Sequence, residues 1–338
     1  MNPQDRLEAF KKLGKYLGAI DEVEFKEICV QARNENSWFT TESITTALAG
    51  VRNYLDPVKL NQWIARYSIR ESGGKKVAVV MAGNIPLVGF HDLLCVLVSG
   101  HDILIKPSSK DTVLLKYIIR KLTEIEPRLA ASIQLADQLK GFDAVIATGS
   151  DNAGRYFEYY FNKYPHVIRR NRTSCAVRSG FESKQELKVL GKDVFTYFGL
   201  GCRNVSKIFV PEGYQFDMLL QSWEPYEEIL MHHKYHNNYD YQKSILLVNS
   251  EPHLDSGFLL LQENERYVSP ISVLYYEYYR DWSALLSKLE TNREKIQCIV
   301  GNVEAAKVKI GQAQLPQLWD YADDVDIMAF LQKLHQGF

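Results

Sequence analysis

Residues 76–109 read KVAVVMAGNIPLVGFHDLLCVLVSGHDILIKPSS, and the spacing of their apolar residues decides the architecture. Lys76 to Ala82 is a short, continuous apolar run, the pattern of a strand buried on both faces. Pro86 to Ser99 is longer and reads as a helix, and His101 to Lys106 is a second strand. Further on, Leu114 to Glu124 reads as a helix and Ala144 to Ala147 as another strand. Strand and helix alternate, which predicts an α/β fold with a parallel sheet covered by helices on both sides. In such sheets ligands sit beyond the carboxyl ends of the strands. Asn84, Lys106, Ser108 and Gly149 all fall at or just past predicted strand ends.

Outward from this block the chain stays ordinary and globular. It has 338 residues, 46% of them hydrophobic and 24% charged, which is enough for two packed domains. Net charge is −1 and no long basic run is present, which argues against nucleic acid as a partner. No uninterrupted apolar run approaches the ~20 residues of a membrane span. The opening MNPQDRLEAFKKLG lacks the apolar core of a signal peptide. The cysteines at 29, 95, 175, 202 and 298 are odd in number and form no CxxC pair. Neither a disulfide framework nor a zinc site is expected, and a reducing cytoplasm fits best.

Residues 5–33 carry Leu7, Phe10, Leu13 and Leu17 at helical spacing. Thr41 can cap a helix running towards Leu55, and Pro57 suits the first turn of another. Gly73-Gly74 is the loop that ends this helical lead-in. Ile245 to Val248, Ile271 to Tyr275 and Ile296 to Val300 read as strands, Trp282 to Leu289 as a helix, and Asp326 to Leu334 as the last helix.

Gly199 to Pro211, GLGCRNVSKIFVP, sets Cys202 in a tight Gly-x-Gly-Cys turn just before a strand, Val205 to Val210. Gly199 and Gly201 leave room for a backbone or a ligand near the sulfur. Cys202 is then either a nucleophile or a small buried hydrophobe, the usual fate of a free cysteine. The other cysteines lie inside apolar patterns and read as core.

Three motifs occur in order: AGNIPLVGFHD with its downstream LIKPSS, then DAVIATGSDNAG at 143–154, then GLGC. This ordered set resembles the aldehyde dehydrogenase superfamily. There an Asn-aromatic-Pro turn, a Lys-Pro-Ser strand end, a Thr-Gly-Ser-x-x-x-Gly turn and a Gly-x-x-Cys nucleophile follow one another. AGNIPLVGFHD, HHKYHNNYDYQ and GQAQLPQLWDYADDVD look closer to one branch, the long-chain acyl-CoA reductases that make fatty aldehydes from acyl thioesters. The resemblance spans about residues 36–335.

It implies an aldehyde dehydrogenase-like fold. A helical lead-in and a Rossmann-type NAD(P)-binding domain would take residues 1–170, and an α/β catalytic domain residues 171–338. The implied reaction is NAD(P)H-dependent reduction of a fatty acyl-CoA, or of an acyl carrier protein thioester, through a Cys202 thioester. Asn84 matches the oxyanion donor, beside the backbone N–H of Cys202; read alone it is a turn residue before Pro86. Lys106 matches the lysine that bonds the adenosine ribose. Ser108 follows it, and Ser109 stands where many NAD-preferring members carry glutamate. Without a carboxylate there a 2′-phosphate is not repelled, so NADPH is expected, with NADH as the alternative. Gly149, Ser150 and Gly154 match the turn and helix start facing the pyrophosphate. Oligomeric state is left open.

Two departures from the family pattern matter. Aldehyde oxidisers carry a Glu-Leu-Gly-Gly stretch whose glutamate activates water; here the text is NRTSCAV, with Asn171 near the glutamate's place. The second family glutamate, which bonds the nicotinamide ribose, finds its nearest match in Glu265 of ENERYVSPISV. That residue lies one position further from Pro270 than the pattern asks. His232, His233 and His236 tempt a metal reading, but HExxH would need glutamate at 233, and no metal is expected. An acyl transferase or thioesterase using Cys202, or a non-catalytic protein of this fold, remains the alternative.

Overall fold

The computed structural model of the chain describes residues 1–69 and 74–336, so the turn expected at Gly73-Gly74 lies partly outside the described residues. Two compact units form: Met1–Asn171 with Pro316–Phe338, and Arg172–Leu315.

The first unit opens with four helices: α1 (Pro3–Leu17), α2 (Glu22–Glu35), α3 (Thr41–Tyr54) and α4 (Pro57–Ile64). Their starts are written in the sequence. The side chains of Asn2, Asp21, Thr40 and Asp56 each accept a backbone N–H of the turn that follows, so the cap of α3 is Thr40 and not the Thr41 expected, which is the first residue of the helix. Leu7, Phe10 and Leu13 line the buried face of α1.

An alternating block follows: β1 (Lys76–Val80), α5 (Phe90–Val98), β2 (Asp102–Lys106), α6 (Thr112–Ile125), β3 (Ile133–Leu135), β4 (Ala144–Thr148), α7 (Asp151–Phe161) and β5 (His166–Arg169). The strands pair in the order β3-β2-β1-β4-β5, all parallel. The middle residues of β1, β2 and β4 are buried, as expected of apolar runs covered on both faces. Strand order reverses at β1, which has β2 on one side and β4 on the other. That reversal is the switch point where open α/β sheets bind ligands.

The second unit carries β6 (Thr173–Val177), α8 (Lys184–Phe195), β7 (Val205–Pro211), α9 (Asp217–Trp223), α10 (His233–Val248), β8 (Leu254–Asp255), β9 (Leu260–Glu263), β10 (Val273–Tyr279), α11 (Trp282–Thr291) and β11 (Ile296–Val300). Its sheet runs β11-β6-β7-β10-β9-β8 and is parallel except for the short edge strand β8, which is antiparallel to β9.

Three further expectations need correcting. The helix read from Pro86 starts only at Phe90, because Leu87 takes a left-handed conformation (φ 57°) in the preceding turn. Ile245 to Val248 is the last turn of α10 and not a strand. Only Leu246 is buried there, and a four-residue apolar run has too little period to tell helix from strand. Finally, residues 171–338 do not form one unit: those from Pro316 onward pack with the first unit. Leu318, Ile327, Met328 and Leu331 of this tail, which ends in α12 (Ile327–Gln336), are fully buried in the first unit's core. Tyr321 takes a 2.8 Å hydrogen bond from the Trp63 indole.

Candidate active site

In the first unit the expected binding residues sit on loops that leave the three central strands. Asn84 is exposed on the turn after β1, Lys106 is exposed at the end of β2, and Gly149 follows β4. The Asn84 turn and the Lys106 loop touch. A side-chain carbon on Gly83 would stand 2.5 Å from the Ser108 hydroxyl, so only glycine allows this approach. Ser108 is half-buried and its Oγ accepts the Lys110 N–H at 3.2 Å, whereas Ser109 faces solvent.

Gly149 needs to be glycine for a different reason. A Cβ there would lie 2.9 Å from both Ala153 and Phe157, so α7 folds back tightly on its own approach loop. Ser150 caps α7 by accepting the Ala153 N–H at 3.3 Å. Gly154 is buried where a Cβ would meet the Arg170 side chain at 3.3 Å.

Beneath these loops lies an ion pair that sequence reasoning missed. The guanidinium of Arg169, at the end of β5, donates to both carboxylate oxygens of Asp92 at 2.7 and 2.9 Å, and both side chains are buried. Asp92 lies in the first turn of α5, where the helix dipole favours an anion. The Arg169 carbonyl also accepts the Gly149 N–H at 3.3 Å, so one residue ties the α5 start to the β4–α7 turn. No local pattern marks such a pair, because its partners stand 77 residues apart.

Cys202 and Glu265 stand on the second unit. The chain leaves α8 through Tyr197, Phe198 and Gly199, all with positive φ (54°, 59° and 79°). Two consecutive non-glycine residues in that region are strained and persist only where the surroundings hold them. Gly199 was expected to leave space near the sulfur. Its role is instead its φ, since the nearest obstacle to a Cβ is 3.8 Å away.

What holds the turn is Asn204, buried and missed from sequence. Its Oδ1 accepts the Gly201 N–H at 2.8 Å. Its Nδ2 donates to the carbonyls of Asp193, Val194 and Thr196 at 3.4, 3.2 and 2.6 Å. Those carbonyls lie at and just past the end of α8, where helices leave acceptors unsatisfied. An asparagine directly before a strand is the only signal that was available. Ser174 adds a second tether: its hydroxyl takes the Cys298 N–H at 3.2 Å and donates to the Cys202 carbonyl at 3.0 Å. Arg203 donates to Ala313 O, and the Asp193 carboxylate accepts the N–H groups of Gly311 and Ala313. The GQAQ segment therefore packs under the thiol turn.

Cys202 is half-buried, as is Cys298, whose Sγ lies 3.0 Å from Ser174 Oγ; Cys29, Cys95 and Cys175 are buried. Burial pushes those three thiols above their ordinary range, which makes them inert core residues.

Glu265 is exposed on the loop between β9 and β10. The loop is anchored from β7 by the fully buried Lys207. Its ammonium donates to the carbonyls of Asn264 and Glu265 at 3.0 and 2.9 Å and pairs with Glu277 at 2.5 Å. Burial lowers the Lys207 pKa against the pull of Glu277.

The histidines are not gathered as ligands. His232 lies against the Phe198 ring at 4.4 Å and stacks on His233 at 5.4 Å, while His236 faces Asp240 at 3.6 Å. Among the described residues no three histidine, cysteine or carboxylate side chains could share a metal ion. Nor is any described helix long and apolar enough to cross a membrane.

Comparison with known proteins adds three findings. The family model for acyl-CoA reductase (LuxC) matches residues 11–218. No curated protein matches the chain. Solved structures match over most of the chain at low identity. Aldehyde dehydrogenase 21 from Physcomitrella patens, in complex with its product succinate, superposes with a TM-score of 0.68 at 13% identity, over 98% of this chain and 84% of that one. Aldehyde dehydrogenase C from Pseudomonas syringae, holding NAD+ and octanal, gives 0.64 at 11% identity over 91% and 74%. The NADP-dependent glyceraldehyde-3-phosphate dehydrogenase from Bacillus halodurans, complexed with NADP, gives 0.61 at 14% over 89% and 74%. At these identities the likeness establishes the fold, which is that of the aldehyde dehydrogenases.

Proposed function

This chain belongs to the acyl-CoA reductase (LuxC) family, and from that premise we propose that it reduces a fatty acyl thioester, of CoA or of acyl carrier protein, to the aldehyde. The observation that carries the proposal is the thiol turn: a half-buried cysteine on a strained loop, tethered by Asn204 and Ser174, just ahead of a buried strand. A nucleophile needs such fixed placement, and a core cysteine does not.

The Cys202 thiolate attacks the thioester carbonyl. A new C–S bond forms, the carbonyl electron pair moves to oxygen, and collapse of that oxyanion expels the carrier thiolate, leaving an acyl-enzyme. The amide of Asn84 and the backbone N–H of Cys202 are the proposed oxyanion donors, and loss of one such donor costs about 3 kcal/mol of barrier. The first unit is the proposed dinucleotide-binding domain, the second the thiol domain.

Lys106, Ser108, Ser109, Gly149, Ser150 and Gly154 would hold the dinucleotide, and Glu265 its nicotinamide ribose. The residues fit such a group. The tight Gly149 approach leaves the α7 start beyond β4 for an anion, and the exposed Lys106 stands at the end of β2, on the other side of β1. Ser109 sets no carboxylate against a 2′-phosphate, which favours NADPH over NADH. Bound there, the reduced nicotinamide supplies the hydride that turns the acyl group into aldehyde. Asn171, in place of a water-activating glutamate, leaves the acyl-enzyme to survive until it is reduced.

One observation favours a second reading, thioester hydrolysis. His232 rests on Phe198, inside the thiol turn, and imidazole is the commonest general base. The first test is Cys202→Ser. It should abolish the acyl-cysteine adduct seen by mass spectrometry and the acyl-CoA-dependent oxidation of NADPH, while NADPH still binds. Turnover above a few per cent of wild type would exclude the covalent route.

A further inference from the structure

Asp111 occupies the N-cap position of α6, where an aspartate ordinarily accepts N–H groups of its own helix. Here it makes no capping bond. Glu35, at the end of α2, does so in its place, accepting the N–H groups of Thr112 and Val113 at 2.8 and 3.0 Å. The Asp111 side chain turns instead into the protein, where it is buried. Its Oδ2 accepts the Leu87 N–H at 2.7 Å, and its Oδ1 has no hydrogen-bond partner among the described residues.

Leu87 is a residue that needs holding. It is a buried, non-glycine residue at φ 57°, and it joins the Asn84–Pro86 turn to the start of α5. The two loops are fastened around it. Gly83 lets Ser108 approach, Asn36 reaches the carbonyls of both Gly83 and Lys110 at 3.5 and 3.3 Å, and Ser108 O accepts the Asp111 N–H at 3.2 Å. Proteins tolerate a half-satisfied buried carboxyl and a strained residue together mainly where geometry matters to function.

We propose that Asp111 is a positioning residue. By holding Leu87, it fixes the turn that carries Asn84, with Glu35 freeing it from capping duty. The proposal rests on the reading of Asn84 as an oxyanion donor. Burial, together with the nearby Glu35 charge and against the Leu87 bond, pushes the Asp111 carboxyl up to about 8. A neutral side chain that still accepts from Leu87 should therefore serve almost as well.

The test compares Asp111→Asn with Asp111→Ala in the full chain, reading the rate of the first CoA release from an acyl-CoA. Asp111→Ala should slow that step by about tenfold or more with KM changed by less than about threefold, and Asp111→Asn should restore most of it. If Asp111 acts through Asn84, Asp111→Ala should cost little once Asn84→Ala is present. Fully additive losses would overturn the proposal. Amide exchange at Leu87 supplies a readout independent of turnover. It should quicken in Asp111→Ala and stay slow in Asp111→Asn; unchanged exchange in both variants refutes the role. Should wild type release no CoA from any acyl thioester, the reductase reading fails, and the exchange result alone decides whether Asp111 fixes the turn.

Discussion

Ser109 is exposed three residues past Lys106, on a loop whose shape is fixed by Ser108 and Asp111. A charge placed there would not disturb the fold, so Ser109→Glu isolates electrostatics. It should weaken NADPH binding by at least about tenfold while changing NADH binding much less, since a carboxylate repels a 2′-phosphate and bonds free ribose hydroxyls. Equal weakening of both, measured by fluorescence titration, would place residue 109 away from the ribose. At this scale the sequence singles out a candidate wherever a residue belongs to a compact motif: Asn84 before Pro86, Lys106 before Pro107, Cys202 after two glycines. Asn204, Asp111 and Arg169 were not readable. Their roles come from hydrogen bonds to backbone or to distant side chains, and an asparagine or aspartate in a loop looks the same with or without them.

Among the elements, β4, β5 and α5 are locked by the buried Arg169–Asp92 pair, which also touches Thr148 at 3.5 Å. Removing one partner strands a charge away from water. Arg169→Met should therefore cost about 3–5 kcal/mol of stability, read as a lower urea midpoint. Replacing both partners, Arg169→Met with Asp92→Leu, should recover most of that loss, and a single variant as stable as wild type would show that the pair is solvated. The elements themselves were legible where apolar runs were long or capped. The central strands of the first unit emerge within one or two residues of their expected limits because burial on both faces leaves an uninterrupted apolar signature. The errors fall where tertiary context overrides pattern. A left-handed Leu87 delays α5, and the apolar end of α10 leaves Leu247 and Val248 facing solvent.

For the whole molecule, the order of motifs along the chain carried the architecture, since a parallel sheet and a mostly parallel one need alternation over a long span and the family's landmarks recur in sequence. The return of the tail from Pro316 to the first unit was hidden, because nothing local to Leu318 or Leu331 says which core will take them. On the proposed mechanism, the fate of an acyl group carried on Cys202 separates a reductase from a hydrolase. Wild-type protein given acyl-CoA without dinucleotide should release about one equivalent of CoA in a burst and then stop, with little free fatty acid, as a trapped covalent intermediate requires. That follows from the proposed place of Asn171: an amide cannot take a proton from water, so with no other base at that place the thioester would persist. Asn171→Glu should then open a hydrolytic leak, provided the carboxylate reaches the water beside Cys202. If His232 on the thiol turn activates water instead, CoA release continues past the burst, fatty acid accumulates, and Asn171→Glu changes little. The deciding quantity is the steady-state rate of fatty acid release without dinucleotide. A rate near that of reduction with NADPH would mean that the aldehyde dehydrogenase fold here serves a thioesterase.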